Sequence, residues 1–255
     1  MLIIISPAKT IDFEKPITNK SYTHPEFIKE ASDLIKPLRK LSLSQLIELM
    51  GISPKLARLN QERFYLWRPE FSPDTSRQAI FAFRGKVYLG LDALSFLPAD
   101  LETAQNQLRI LSGLYGVLRP FDLIKPHRLE MGTALEIGKF RNLYEFWQKK
   151  VTAKIREDLN QSGSNLLINL ASVEYFRVID PKKLKAEIIT PEFREAKEGT
   201  YKIVSIFAKK ARGLMTRFII QNGVNTEEQL HAFDSEGYSL NNRLSRSGRP
   251  VFTRG

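Results

Sequence analysis

Leu2 to Ile5 is an unbroken apolar and mostly β-branched run, the pattern of a strand covered on both faces. Ser6-Pro7 ends it, so the pattern predicts a short central strand followed by a loop. From Pro25 to about Arg39, Phe27, Ala31, Leu34, Ile35 and Leu38 recur at helical spacing. A second helix is predicted from an N-cap at Ser42 or Ser44 to Met50, and a third from Pro54 to about Trp67, where Arg68-Pro69 stops it. Further helix starts are read at Pro73-Asp74-Thr75 and at Leu97-Pro98-Ala99-Asp100, the latter running towards Arg109. Arg141 to Asn160 is the longest helical stretch. Asn165 to Leu170 and Ala186 to Thr190 read as strands with a short helix between them, around Val173 to Ile179. Tyr201 to Phe207 reads as another strand, paired with Ala186 to Phe193. Strands alternating with helices, without repeats or long linkers, predict a mixed α/β (α+β) chain forming a single domain over residues 1–255.

Composition narrows the class without changing that picture. Of the 255 residues, 42% are hydrophobic and 26% charged, ordinary globular values that exclude a disordered or fibrous chain. There is no cysteine, which excludes disulfides, thiolate metal sites and a Cys nucleophile, and the expected location is cytoplasmic. No apolar stretch approaches the ~20 residues of a spanning helix, so no membrane partner is expected.

The net charge of +11 is unevenly placed. Between Gly199 and Thr226 there is no carboxylate, while Lys202, Lys209, Lys210, Arg212 and Arg217 all lie there. After Glu236 come Arg243, Arg246, Arg249 and Arg254, again without an acid. A helix from Ala208 to Gln221 would gather Ala211, Leu214, Met215, Phe218 and Ile219 on one stripe. Lys209, Lys210 and Arg217 would then face away from the core. Such a surface is either a solvated helix face or a phosphate-binding one, acting through counterion release.

Leu49 to Ala57 adds a second phosphate signal. Gly51 suits a left-handed helix end, Ile52 can plug between two helices, and Pro54 suits the first turn of the next. Lys55 beside open helix amides makes an anion site. The element, about residues 42–67, resembles the helix-hairpin-helix of DNA repair proteins. Ser53 stands where that pattern has its second glycine, and its hydroxyl could meet a phosphate or cap the helix.

Several segments together resemble the YaaA family of peroxide stress resistance proteins. They are Ile4-Ile5-Ser6-Pro7-Ala8-Lys9-Thr10, Leu111-Ser112-Gly113-Leu114-Tyr115-Gly116-Val117-Leu118-Arg119-Pro120 and Pro126-His127-Arg128-Leu129-Glu130-Met131-Gly132. Asn169-Leu170-Ala171-Ser172 with Glu174-Tyr175, and Ala208-Lys209-Lys210-Ala211-Arg212-Gly213-Leu214-Met215, complete the set. His127 departs from the tyrosine usual in similar sequences. The resemblance implies a cytoplasmic protein of the hydrogen peroxide response that limits unincorporated iron and iron-dependent oxidative DNA damage. It also implies a family-specific α/β fold that binds DNA through a basic cleft and the hairpin.

Individual residues carry competing readings. Lys9, in the loop after the first strand, is a candidate phosphate contact, since that loop lacks the glycines of a P-loop. Arg109, Arg119 and Arg128, near Tyr115, could make bidentate phosphate contacts with the ring stacking on a base, or Arg128 could simply pair with Glu130. A glycosylase alternative gives Lys55 the role of nucleophile and Asp74 that of activator, although Asp74 is equally an N-cap. An iron-sequestering alternative would have to rely on carboxylates, because the only histidines, His24, His127 and His231, are scattered. Asn169, Ser172 and Glu174 form a polar group after a strand, either a small catalytic site or a hydrogen-bonded corner.

The resulting expectation is a monomeric, non-enzymatic DNA-binding protein without cofactor or metal, taking duplex, bubble or junction DNA. Its contacts would be Lys9, Gly51, Ser53, Lys55, Arg119, Arg128, Lys209, Lys210, Arg212 and Arg217.

Overall fold

A computed structural model describes residues 1–255. Strand β1 (Leu2–Ile5) is fully buried and lies at the centre of a five-stranded sheet. Its neighbours are β2 (Leu108–Ser112), the edge strand β3 (Gly116–Leu118), β4 (Leu166–Leu170) and β5 (Glu187–Ile189), in the order β3-β2-β1-β4-β5. All pair in parallel except β3, which returns antiparallel to β2. Every residue of β1, β2 and β4 is buried, which explains why these strands read as continuous runs rather than alternations. From β1 the chain goes first to β2 on one side and later to β4 on the other. Their carboxyl ends therefore flank a topological switch point, the usual place for a ligand crevice in an open α/β sheet.

Helices α1 (Ile28–Leu38), α2 (Leu43–Met50) and α3 (Pro54–Leu66) follow the predicted boundaries closely. Ser42 caps α2 in a reciprocal capping box with Gln45. Gly51 ends α2 at φ +58°, Ile52 is buried as a plug, and Ser53 caps α3 by accepting from the Leu56 amide. Then come α4 (Lys86–Leu91), α5 (Pro98–Gln107), α6 (Leu143–Gln161, capped by Asn142), α7 (Val173–Phe176) and α8 (Pro181–Leu184). The last long helix, α9 (Ser205–Asn222), ends on left-handed Gly223.

Two predicted elements are different. Pro73-Asp74-Thr75 is a turn closed by the Thr75 amide on the Ser72 carbonyl, not a helix start. The chain beyond it must instead deliver Arg77–Gln78 to pair with Leu123–Ile124, so Asp74 is an exposed turn residue rather than an N-cap. The strand predicted over Tyr201 to Phe207 ends at Lys202. Strand β6 (Glu192–Lys197) pairs with β7 (Thr200–Lys202) in a second sheet that also holds β8 (Ser239–Leu240) and β9 (Val251–Arg254), in the order β7-β6-β9-β8. Residues 205–207 belong to α9, whose 3.6-residue stripe of Ala208, Ala211, Met215 and Ile219 overrides the local β-branched run.

Helices α4 and α9 cross with almost no space between their backbones. A methyl group on Gly90 would collide with the Lys210 carbonyl, and one on Gly213 with the Val87 carbonyl. This glycine crossing fixes where Lys86 and Tyr88 stand relative to Lys209 and Arg212. Elsewhere a single continuous hydrophobic cluster reaches from Met1 to Phe252. No helix is long and apolar enough to cross a membrane.

Candidate functional site

A cavity of about 550 Å³ opens at the carboxyl ends of β1, β2 and β4. Each strand delivers a serine to it: Ser6 just after β1, Ser112 at the end of β2, and Ser172 just after β4. Ser6 Oγ accepts from the Ser172 amide at 2.8 Å and donates to Ser172 Oγ at 3.2 Å. The Ser172 hydroxyl, which also caps α7, keeps its own proton available. Tyr88 is buried and donates to the Ser6 carbonyl at 3.1 Å. Burial pushes both its phenol and that of Tyr175 upward, so both stay protonated donors.

Cations dominate the rim. Lys9, Arg84, Lys86, Arg128, Lys209 and Arg212 line the cavity against Glu130 and Glu174. Glu130 is shared: Lys9 Nζ lies 2.8 Å from Oε2, while Arg128 donates to Oε1 through Nε at 3.1 Å and Nη2 at 2.8 Å. Burial raises the Glu130 pKa, but the hydrogen bonds from Lys9 and Arg128 outweigh it and hold the carboxyl below its ordinary value. The predicted Arg128–Glu130 pair is therefore real. Lys86, Lys209 and Arg212 have no carboxylate partner. Arg212 is half-buried, makes no side-chain hydrogen bond, and has its guanidinium pKa lowered by burial.

This arrangement brings together Lys9, Arg128, Lys209 and Arg212 of the predicted contacts, with Ser172 and Glu174 of the polar corner. The others lie elsewhere. Arg119 borders a groove with Met1 and Arg109, at the opposite end of the sheet, about 15 Å away along strands of this length. Arg109 is not a phosphate contact. It is buried in an ion pair with Asp158, to which Lys154 also reaches at 3.2 Å. Tyr115 is completely buried, accepting from Trp67 Nε1 at 3.0 Å and from the Lys125 amide at 3.2 Å, so it cannot stack on a base. His127 packs edge-on against that ring, and burial pushes its pKa down to about 4.

On α9, Lys210 pairs with Glu236. Arg217 does not face solvent as its spacing suggested, but lies over Phe96 and donates to the carbonyls of Leu91 and Asp92. Asn169 is a hydrogen-bonded corner, accepting from the Ala171 amide and donating to Thr190.

Gly51, Ser53 and Lys55 mark a separate place. Pro54, Lys55, Arg58, Leu59 and Glu62 line a groove at the start of α3. Lys55 and Arg58 are exposed there without an acid partner. Lys55 has no ion pair or hydrogen bond to Asp74, and no three acidic or histidine side chains converge as a metal site would require. A larger groove of about 670 Å³ along α6 and α8 is edged by Lys149, Arg156 and Lys182 and shares no lining residue with the cavity.

Sequence reasoning missed Lys86, Tyr88 and Tyr175 as lining groups. For Lys86 no signal existed, since its position follows from the glycine crossing rather than from a motif. Gly90 and Gly213 inside helices were the available hint, because glycine there costs about 1 kcal/mol against alanine and usually has a packing reason.

Residues 1–244 match the model of the family described as peroxide stress protein YaaA. The chain belongs to that family.

Proposed function

We propose that this member of the peroxide stress protein YaaA family acts in the peroxide response by binding DNA. It would hold duplex or distorted DNA through phosphate contacts that do not read sequence, limiting iron-dependent oxidative damage. The observation that carries the reading is the α2–α3 turn. Left-handed Gly51 and buried Ile52 fix the turn, and the first amide of α3, that of Lys55, makes no hydrogen bond and belongs to a residue whose side chain, like that of Arg58, is exposed and unpaired. One open amide with two cations beside it suits a phosphate oxygen. The Ser53 hydroxyl serves the helix cap, which leaves the phosphate to the backbone and to Lys55. The unpaired Lys86, Lys209 and Arg212 lining the cavity offer a second set of phosphate contacts.

Titration of labelled duplex, bubble and junction DNA at several salt concentrations tests this. Each phosphate neutralised on duplex DNA should steepen the log-log salt slope by about 0.9. Lys55→Glu with Arg58→Glu should weaken binding to all three DNAs alike and flatten that slope. Undiminished affinity in this double variant would remove the hairpin from the interface, and absence of binding at low salt would end the DNA reading.

A further inference from the structure

The switch-point cavity holds more than a DNA rim requires. Its charge is concentrated on one wall, where Lys86 from α4 and Lys209 and Arg212 from α9 converge without a carboxylate among them. Arg212 is the deepest of the three, and half-burying a guanidinium with no partner is unfavourable unless something else supplies one. Arg84, in the same lining, has its Nη2 buried without a hydrogen-bond partner, although its Nε is paired to Asp12. The lining also holds Ser172 and the carboxylate of Glu174. Ser172 Oγ retains a proton to donate, and Glu174 uses Oε1 on the Gly132 amide, leaving Oε2 free to accept. This donor and this acceptor suit a sugar, whose hydroxyl can donate to the carboxylate and whose oxygens can accept from the serine. About 550 Å³ is far more than inorganic phosphate needs and falls within the range of small-molecule pockets.

We propose that this cavity binds a phosphorylated nucleoside, with the phosphate on Arg212, Lys86 and Lys209 and the sugar against Ser172 and Glu174. The position at the carboxyl ends of β1 and β4, where parallel α/β sheets take nucleotides, fits that ligand class. Lys9 and Arg128 are less available to the phosphate, because both are already paired to Glu130. The ligand has two possible sources of one chemistry: a free mononucleotide, or a nucleotide turned out of DNA held at the rim. The free form does not depend on the DNA reading.

Calorimetric titration of the full chain with the four deoxynucleoside 5′-monophosphates and the four parent nucleosides tests the first source. A duplex carrying 2-aminopurine opposite a mismatch tests the second by its fluorescence rise on unstacking. The expected result is one-to-one binding of a monophosphate at least about tenfold tighter than its nucleoside, as loss of a charge-assisted phosphate contact implies. Arg212→Gln should weaken it about tenfold or more and Arg212→Lys less, whereas Lys55→Glu leaves it unchanged. If only the 2-aminopurine signal appears, and Arg212→Gln abolishes it while overall duplex affinity persists, the nucleotide comes from DNA. Neither signal, in protein that still binds duplex through Lys55, overturns the inference and leaves the DNA reading standing. Monophosphate binding that Arg212→Gln does not alter overturns it as well. Melting temperatures of the Arg212 variants within a few degrees of the parent verify that each is folded.

Discussion

Gly213→Ala is the most direct test of how the cavity is built. In an ordinary exposed helix the change would stabilise by about 1 kcal/mol, because alanine is the better helix former. Here the new methyl would meet the Val87 carbonyl and lie 2.7 Å from the Leu91 amide nitrogen. Restoring ordinary contact, 3.4 Å or more, takes about 0.7 Å at the Leu91 nitrogen alone and more at the Val87 carbonyl, which is nearer still. Even the smaller gap forfeits roughly a quarter to a half of the dispersion energy of each contact it opens. Overpacking of this kind costs about 1–3 kcal/mol. Because the obstacle is backbone, which cannot rotate away, the upper end applies and the net loss should be about 2 kcal/mol. In a chain of this size that lowers the melting temperature by about 4–8 °C. Thermal and urea unfolding measure it, with Gly223→Ala as comparison. At Gly223 the φ of +60° is strained for alanine but nothing stands within 4 Å, so about 1 kcal/mol is expected from the backbone alone. Gly90→Ala combined with Gly213→Ala should destabilise by less than the two separately, since one separation relieves both collisions. An unchanged or raised melting temperature for Gly213→Ala would refute the account of the crossing.

Two buried titrating groups predict opposing pH dependence. Burial holds His127 neutral, with its pKa down at about 4 against an ordinary 6.5, so its contribution to stability is lost as pH falls from 6.5 to 4, about 3 kcal/mol in all. Burial pushes Asp122 up to about 6 despite its hydrogen bonds from Thr23 and the Arg119 amide, so its contribution is lost as pH rises from about 4 to 6. The two offset each other in the parent between pH 4 and 6. His127→Gln should leave stability falling with pH there, and Asp122→Asn should leave it rising; parallel urea titrations of the two variants with equal slopes would contradict both assignments. Asp158→Ala leaves Arg109 buried and unpaired and should cost about 3–5 kcal/mol, with DNA affinity at low temperature unaffected; a selective loss of DNA binding in a stable variant would return Arg109 to the interface.

Much of this fold was readable because its signals are local. Capping at Ser42 and Asn142, the glycine ends at Gly51 and Gly223, and the apolar run of β1 each depend on a few neighbouring residues. What was misread depends on distant partners. Residues 203–207 look like a strand until α9 is seen to bury Ala208 and Ala211. Pro73 looks like a helix start until Arg77–Gln78 finds Leu123–Ile124. The site divides in the same way. Lys9, Arg128, Lys209 and Arg212 carry charge that composition makes visible. Whether a cation is free is decided by acids far away in sequence, Asp158 for Arg109 and Glu236 for Lys210, and no spacing rule finds those.

The shared carboxylate Glu130 carries a consequence for how ionic strength acts on the cavity. Lys9 and Arg128 share one internal counterion that offsets half of their charge, so together they condense fewer anions from solution and have fewer to release when a phosphate arrives. A ligand seated on Lys86, Lys209 and Arg212 displaces solution ions chiefly from those three cations and less from the paired ones. The cavity thus has two kinds of positive charge: one partly offset by the protein's own carboxylate, which shapes the wall at any salt, and one left for the solvent to screen.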